Sequence, residues 1–197
     1  ATPDAVVITR MPEVPVHVEA YASPEGVREE EFSPAYALAA GAPLIVPSDD
    51  PWVLEASKRI PARILSYGLS EQGTAQVSDI RFHIADGKVE GMEASIEIDG
   101  GEAASVVHGS VGVTQVLPLA AALVTARAFE ISLPEALIAL EKYEAPSGRC
   151  RLLAGKNSSI IIDDSYNASP AAVEEVLATL KLFQRAGRRI AVLGDML

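Results

Sequence analysis

The stretch Ile160-Ile161-Ile162-Asp163-Asp164-Ser165-Tyr166-Asn167-Ala168-Ser169-Pro170 constrains the fold of this chain more than any other. Three consecutive β-branched residues suit a strand buried on both faces, the pattern of a parallel sheet. Ser169 and Pro170 read as the N-cap and first residue of a helix. Val173, Val176, Leu177, Leu180 and Phe183 follow at helical spacing, so one apolar stripe of that helix is expected to pack on the sheet. Gly187-Arg188-Arg189 ends it, and Ile190 to Leu193 is the expected next strand, joined by a right-handed crossover. The class is therefore α/β. In an open α/β sheet, ligands bind beyond the carboxyl ends of the strands. Asp163 and Asp164 sit at such an end, which makes this turn a candidate site. The same two carboxylates also suit a structural role, ending the strand and facing the positive N-terminus of the next helix.

Upstream, Ala5 to Thr9, Leu44 to Val46 and Ala62 to Tyr67 read as short buried strands. Ser23-Pro24 starts a helix running to about Ala40, interrupted or kinked by Pro34, and Asp49-Asp50-Pro51 leads into a helix over Trp52 to Lys58. The texture then changes. Met92, Ala94, Ile96 and Ile98 alternate with Glu93, Ser95, Glu97 and Asp99, flanked by Asp86-Gly87 and Asp99-Gly100 turns. This predicts an antiparallel meander over about Gln76 to His108. A helix apolar nearly all round starts near Gln115, which places Pro118 in its first turn, and runs to Phe129. Ser132 and Glu135 have capping-box spacing for a further helix to about Tyr143. The break at Gly148 to Asn157 suggests two domains, 1–152 and 153–197.

The net charge of −11 and pI near 4.7 argue against nucleic acid and against an anionic membrane surface as partners. A single cysteine, Cys150, excludes an internal disulfide and fits a reducing, cytoplasmic setting. No apolar run approaches the ~20 residues needed to span a bilayer. The chain begins with Ala1 rather than methionine and reads as a cut or processed polypeptide.

DDSYNASP resembles the DDSYNANP motif that opens the C-terminal domain of the Mur ligase family, and its Tyr-Asn pair is similar to the D-alanyl-D-alanine-adding (MurF) branch. The closing VLGDML resembles the same branch. This likeness implies part of a central ATPase domain, a parallel sheet plus meander, followed by the start of a Rossmann-like domain. It implies an ATP-dependent amide ligase of peptidoglycan precursor synthesis, acting on UDP-MurNAc-tripeptide and D-Ala-D-Ala through an acyl phosphate. ATP and Mg²⁺ are the implied cofactors. By the same likeness, Arg149 of Gly148-Arg149 meets the nucleotide phosphates, Asp163, Asp164 and Asn167 belong to the nucleotide site, and His17 and Glu19 of PVHVE serve a magnesium ion.

The chain departs from the family in several places. Glu31 stands where the family carries a lysine that is usually carbamylated. It supplies either replacement oxygens for Mg²⁺ or a solvated acidic helix face. Val113-Thr114 replace a His-Asn pair that reads the adenine. Asp49-Asp50-Pro51 is explained as a helix N-cap, and His108 as a strand-end histidine. The chain contains no G-x-x-x-x-G-K-[ST] loop, which the likeness places before Ala1, so the chain alone is expected to be inactive. Two rivals stand beside the ligase segment. One is a non-catalytic binding or structural module. The other is a receiver-like domain using Asp163, Asp164 and Asp195, which the first 150 residues do not fit.

Overall fold

A computed structural model describes residues 2–11, 20–184 and 187–195. Strand β1 (Val6–Val7), β2 (Pro43–Pro47), β3 (Arg63–Gly68) and the start of β4 (Ala75–Ala85) pair in parallel. β4, β5 (Lys88–Ile98) and β6 (Gly101–His108) continue the same sheet as an antiparallel meander, in the order β1-β2-β3-β4-β5-β6. The two hairpin turns have positive φ at both central residues, Asp86-Gly87 and Asp99-Gly100. That geometry matches the twist of the flanking strands and selects Asp-Gly.

The sheet is covered on two faces because β2 is apolar on both. Leu44 and Val46 point into a cluster with Val6, Ile8, Phe32 and Val53, whereas Ile45 points into a larger cluster with Leu65, Val77, Ile96, Leu119 and Leu123. Helix α1 (Pro24–Phe32), a 3₁₀ turn over Ser33–Ala37, and α2 (Pro51–Ser57) supply the smaller cluster. There Phe32 meets Tyr36 and Trp52 edge-to-face, at centroid distances of 5.7 and 5.8 Å. The larger cluster is built by α3 (Val113–Ala128), α4 (Leu133–Leu140) and the meander. The alternating residues Met92, Ala94, Ile96 and Ile98 are all buried. Each large aliphatic side chain so buried contributes about 1.5–3 kcal/mol.

β1 forms the outer edge of the sheet, and among the described residues nothing pairs with its far side. Val7 on this edge is exposed. Beside it runs an open apolar groove along α3, lined by Val7, Pro118, Ala122, Ala126, Phe129 and Ile131.

Several expectations need correction. α3 starts at Val113, behind Gly112, so Pro118 is its sixth residue rather than part of its first turn. Its missing N–H forfeits only the bond to the Thr114 carbonyl. Burial of Val116, Leu119, Ala120, Ala121, Leu123 and Val124 holds the helix in spite of that loss. Ser132 caps α4 by position, but its side chain makes no capping bond.

The largest correction concerns Ile160 to Asp163. They form β8 (Ile160–Asp163), which pairs antiparallel with β7 (Arg151–Ala154) instead of lying inside a parallel sheet. Ile160 and Ile161 are 45% and 49% exposed, while Ile162 packs on the larger cluster. β7 lies a few residues upstream, so the hairpin closes a short loop at low entropic cost. Ile190 to Leu193 forms no strand and is exposed. The helix before it, α5 (Pro170–Leu182), forms as expected and is capped by Ser169. It packs on α3, and Phe183 meets Phe82 of β4 at 4.5 Å, so its apolar stripe serves the main body.

Candidate functional site

The site is built around a tight turn, Gly148-Arg149-Cys150. Gly148 and Cys150 both have positive φ, 71° and 52°. For cysteine this conformation costs about 1–2 kcal/mol, and neighbouring bonds hold it in place. The Cys150 N–H donates to Asp164 Oδ1 at 3.0 Å. The Cys150 carbonyl accepts from Ser110 Oγ at 2.9 Å and from the Val111 N–H at 3.1 Å. Ser110 Oγ also reaches the Arg149 carbonyl at 3.1 Å. Ser110 is fully buried, and the Leu152 N–H donates to the Gly109 carbonyl at 2.8 Å, so this turn is stitched to the end of β6.

The acidic pair completes the clamp. Asp163 Oδ2 accepts the Gly148 N–H at 3.2 Å, and Asp163 Oδ1 accepts from the Ser165 hydroxyl at 2.6 Å and the Ser165 N–H at 3.3 Å. The Ser165 hydroxyl is the main cause that holds the Asp163 carboxyl below its usual range, with the Ser165 and Gly148 N–H groups adding to it. Burial, together with the charge of Asp164, pushes the Cys150 thiol up to about 12. It is therefore protonated at neutral pH and a poor nucleophile.

Tyr166 closes the far side. Its N–H donates to the Gly148 carbonyl at 3.3 Å. A Cβ on Gly148 would come within 2.8 Å of the Tyr166 nitrogen and 2.9 Å of its Cβ, so this position requires glycine for space as well as for φ. The Arg149 guanidinium lies 4.4 Å over the Tyr166 ring, and both side chains are exposed. Asn167 follows, its Oδ1 accepting the Ala168 N–H at 2.9 Å just before the α5 cap.

Arg149, Asp163 and Asp164 thus meet at one turn, with Asn167 on the loop that leaves it. Both carboxylates accept backbone N–H groups of the turn, Asp163 that of Gly148 and Asp164 that of Cys150. His17 and Glu19 lie outside the described residues. Glu31 is exposed on α1, which packs on the opposite face of the sheet from Leu152 and Ile162, so it is not brought to this turn. Among the described residues no three His, Cys, Asp or Glu side chains converge to hold a metal, and Glu31 alone does not make a Mg²⁺ site. Asp50 is the N-cap of α2, accepting from Trp52 and Val53 at 3.1 Å each, and its other oxygen holds the Met11 N–H at 3.2 Å. Asp49 binds the Leu69 and Ser70 N–H groups. His108 ends β6, its ring edge-on to that of His83. Asp195, required by the receiver-like reading, lies exposed after a segment that forms no strand.

Sequence reasoning missed Ser110, Cys150 and Tyr166 as parts of this assembly. No periodicity marks Ser110, whose partners are carbonyl groups 39 and 40 residues away.

The profile of the family described as Mur ligase, glutamate ligase domain, matches residues 148–197, beginning at this turn. The UDP-N-acetylmuramoyl-tripeptide–D-alanyl-D-alanine ligase of Bacillus subtilis (strain 168) is 26% identical over all 197 residues. The chain is thus similar to the Mur ligases, and over its full length to one of the MurF type. Its fold agrees. MurF of Thermotoga maritima, solved in complex with ADP, superposes with a TM-score of 0.78 over 92% of this chain at 23% identity. MurF of Acinetobacter baumannii does so with the same TM-score over 92% at 20% identity. The chain spans 40% of the length of the Bacillus ligase and 40% and 38% of the two solved MurF chains. None of its described helices is long and apolar enough to cross a membrane.

Proposed function

We propose that this chain is the part of a MurF-type amide ligase that joins its central domain to its C-terminal domain, near residues 148–152, and carries one side of an adenine-nucleotide site there. The observation that carries the reading is the Arg149 guanidinium, exposed and stacked on Tyr166, on a turn whose backbone is clamped from both sides. A guanidinium presents a planar fork suited to two phosphate oxygens. Fixing it beforehand lowers the ordering cost of binding. Asn167, exposed on the following loop, is the second ligand-facing group, while Asp163 and Asp164 serve the site by holding the turn.

In the complete enzyme the carboxylate of UDP-MurNAc-tripeptide would attack the γ-phosphorus of ATP, releasing ADP and leaving an acyl phosphate. The amine of D-Ala-D-Ala then attacks the acyl carbon, the C–N bond forms, the C–O bond to phosphate breaks, and the amine loses its proton. Arg149 contributes positive charge on the nucleotide side of that transfer. Magnesium enters this reading through His17 and Glu19, with Glu31 as a further oxygen donor; its support is their order in the sequence. Such a cytoplasmic ligase would draw the whole reaction from soluble precursors. With no Gly-rich phosphate loop among its 197 residues, the chain alone is expected to show no turnover.

The deciding experiment measures equilibrium binding of ADP to the full-length protein and phosphate release with both substrates present. Micromolar ADP binding that Arg149→Ala weakens, together with release that requires D-Ala-D-Ala, supports the reading. Undetectable ADP binding overturns it in favour of a non-catalytic module, a reading favoured by Val113-Thr114 in place of the His-Asn pair. If Glu31→Gln leaves the magnesium dependence of nucleotide affinity unchanged, Glu31 is a surface glutamate and not a ligand.

A further inference from the structure

We infer that Tyr166 is a positioning residue: its ring is the platform that fixes the Arg149 guanidinium toward a nucleotide's phosphates. The inference rests on the nucleotide reading above and adds a residue and a division of labour to it.

Three observations carry it. Arg149 Cζ sits 4.4 Å from the Tyr166 ring centroid, a distance at which the ring face attracts a cation. Tyr166 is 72% exposed, so hydrophobic burial does not account for its position. Instead its backbone is tied to the turn that carries Arg149, through the Tyr166 N–H to the Gly148 carbonyl and through van der Waals contact with the bare Cα of Gly148. The backbone that carries the ring is therefore held against the turn that carries the guanidinium. The backbone on both sides of Arg149 is fixed by Asp163, Asp164 and Ser110. What remains free is the long Arg149 side chain, and ordering it costs up to ~2 kcal/mol. Stacking on an aromatic face removes much of that freedom and leaves the N–H edge of the guanidinium available for phosphate oxygens. The phenol hydroxyl has no part in this arrangement; the ring face does the holding.

The test compares ADP with adenosine as probes, on the full-length protein carrying Tyr166→Phe, Tyr166→Leu or Arg149→Ala. Arg149→Ala is expected to weaken ADP roughly thirtyfold through loss of charge-assisted bonds. Tyr166→Leu should weaken ADP about fivefold, from loss of the cation–ring contact. Adenosine affinity should not change in any variant, because adenosine has no phosphate, and Tyr166→Phe should match the wild type. If Arg149→Ala weakens ADP and Tyr166→Leu does not, the positioning role is overturned and the nucleotide reading stands. If Tyr166→Leu weakens ADP and adenosine alike, Tyr166 is a general structural residue and the inference fails. If neither Arg149→Ala nor Tyr166→Leu affects ADP, or the wild type does not bind it, both readings fall together.

Discussion

Asp164 Oδ1 accepts the backbone N–H of Cys150 at 3.0 Å, and Cys150 is buried in the left-handed region of the backbone at φ 52°. The carboxylate therefore holds a conformation that the cysteine would not adopt by itself. Asp164→Ala leaves a buried N–H without a partner and is expected to lower stability by about 1–3 kcal/mol. Asp164→Asn, whose amide oxygen still accepts, should lose less. Urea denaturation of the two variants side by side checks the order.

The same carboxylate oxygen also meets the thiol, accepting from Cys150 Sγ at 3.5 Å. With its pKa pushed up to about 12 by burial and by the charge of Asp164, Cys150 should resist alkylation at pH 8 in the folded protein. Asp164→Ala removes one cause and opens the turn, so its alkylation should be faster. Iodoacetamide labelling followed by intact-mass measurement reads the difference.

Gly148 and Gly109 have the same φ of 71°, yet a Cβ on Gly148 would strike Tyr166 whereas one on Gly109 would meet nothing within 4 Å. Gly109→Ala should cost only the left-handed strain, about 1–2 kcal/mol. Gly148→Ala should cost clearly more, and should also displace Tyr166 from Arg149. Thermal unfolding of the pair separates strain from collision.

The Asp163 carboxyl is held below its usual range first by the Ser165 hydroxyl, then by the N–H groups of Ser165 and Gly148. A carboxyl depressed in the folded state binds fewer protons there than in the unfolded chain. Its contribution is fully present above the unfolded pKa and is lost as pH falls through the lower, folded value. Stability should therefore drop on acidification below the ordinary carboxylate range, and Asp163→Asn should flatten that part of the profile. Urea midpoints across the acidic range measure it.

Ile96 is fully buried at the centre of the larger cluster. Ile96→Ala is expected to cost about 2–5 kcal/mol, while Ile84→Ala, at 59% exposure on the same meander, should cost far less. Chemical denaturation distinguishes core from surface.

The parts of this fold that were legible in sequence are those where one local pattern has one outcome. The alternation from Met92 to Ile98 and the Asp-Gly pairs define the meander, because period and turn chemistry agree. Ile160 to Ile162 misled because a β-branched run specifies extended backbone without specifying a partner. β7 was near enough to become the partner, and two of the three isoleucines remained half exposed. Pro118 misled because local backbone chemistry argued for a later helix start, and burial of six residues outweighed it. At the site, Asp163, Asp164, Arg149 and Asn167 were legible as residues of interest, but what each one touches was not. Ser110 and Tyr166 join the turn through its backbone carbonyl groups, distant from them in the chain, and such bonds leave no trace in composition or spacing.

β1 contributes only Val6 and Val7 to the sheet, and among the described residues no strand pairs with its outer rim, which lies beside an oily trough. A rim of this kind can be extended by any stranger that offers an extended backbone. Handled as a separate molecule at high concentration, this polypeptide should therefore self-associate through that rim, and a lysine introduced at Val7 should keep the copies apart.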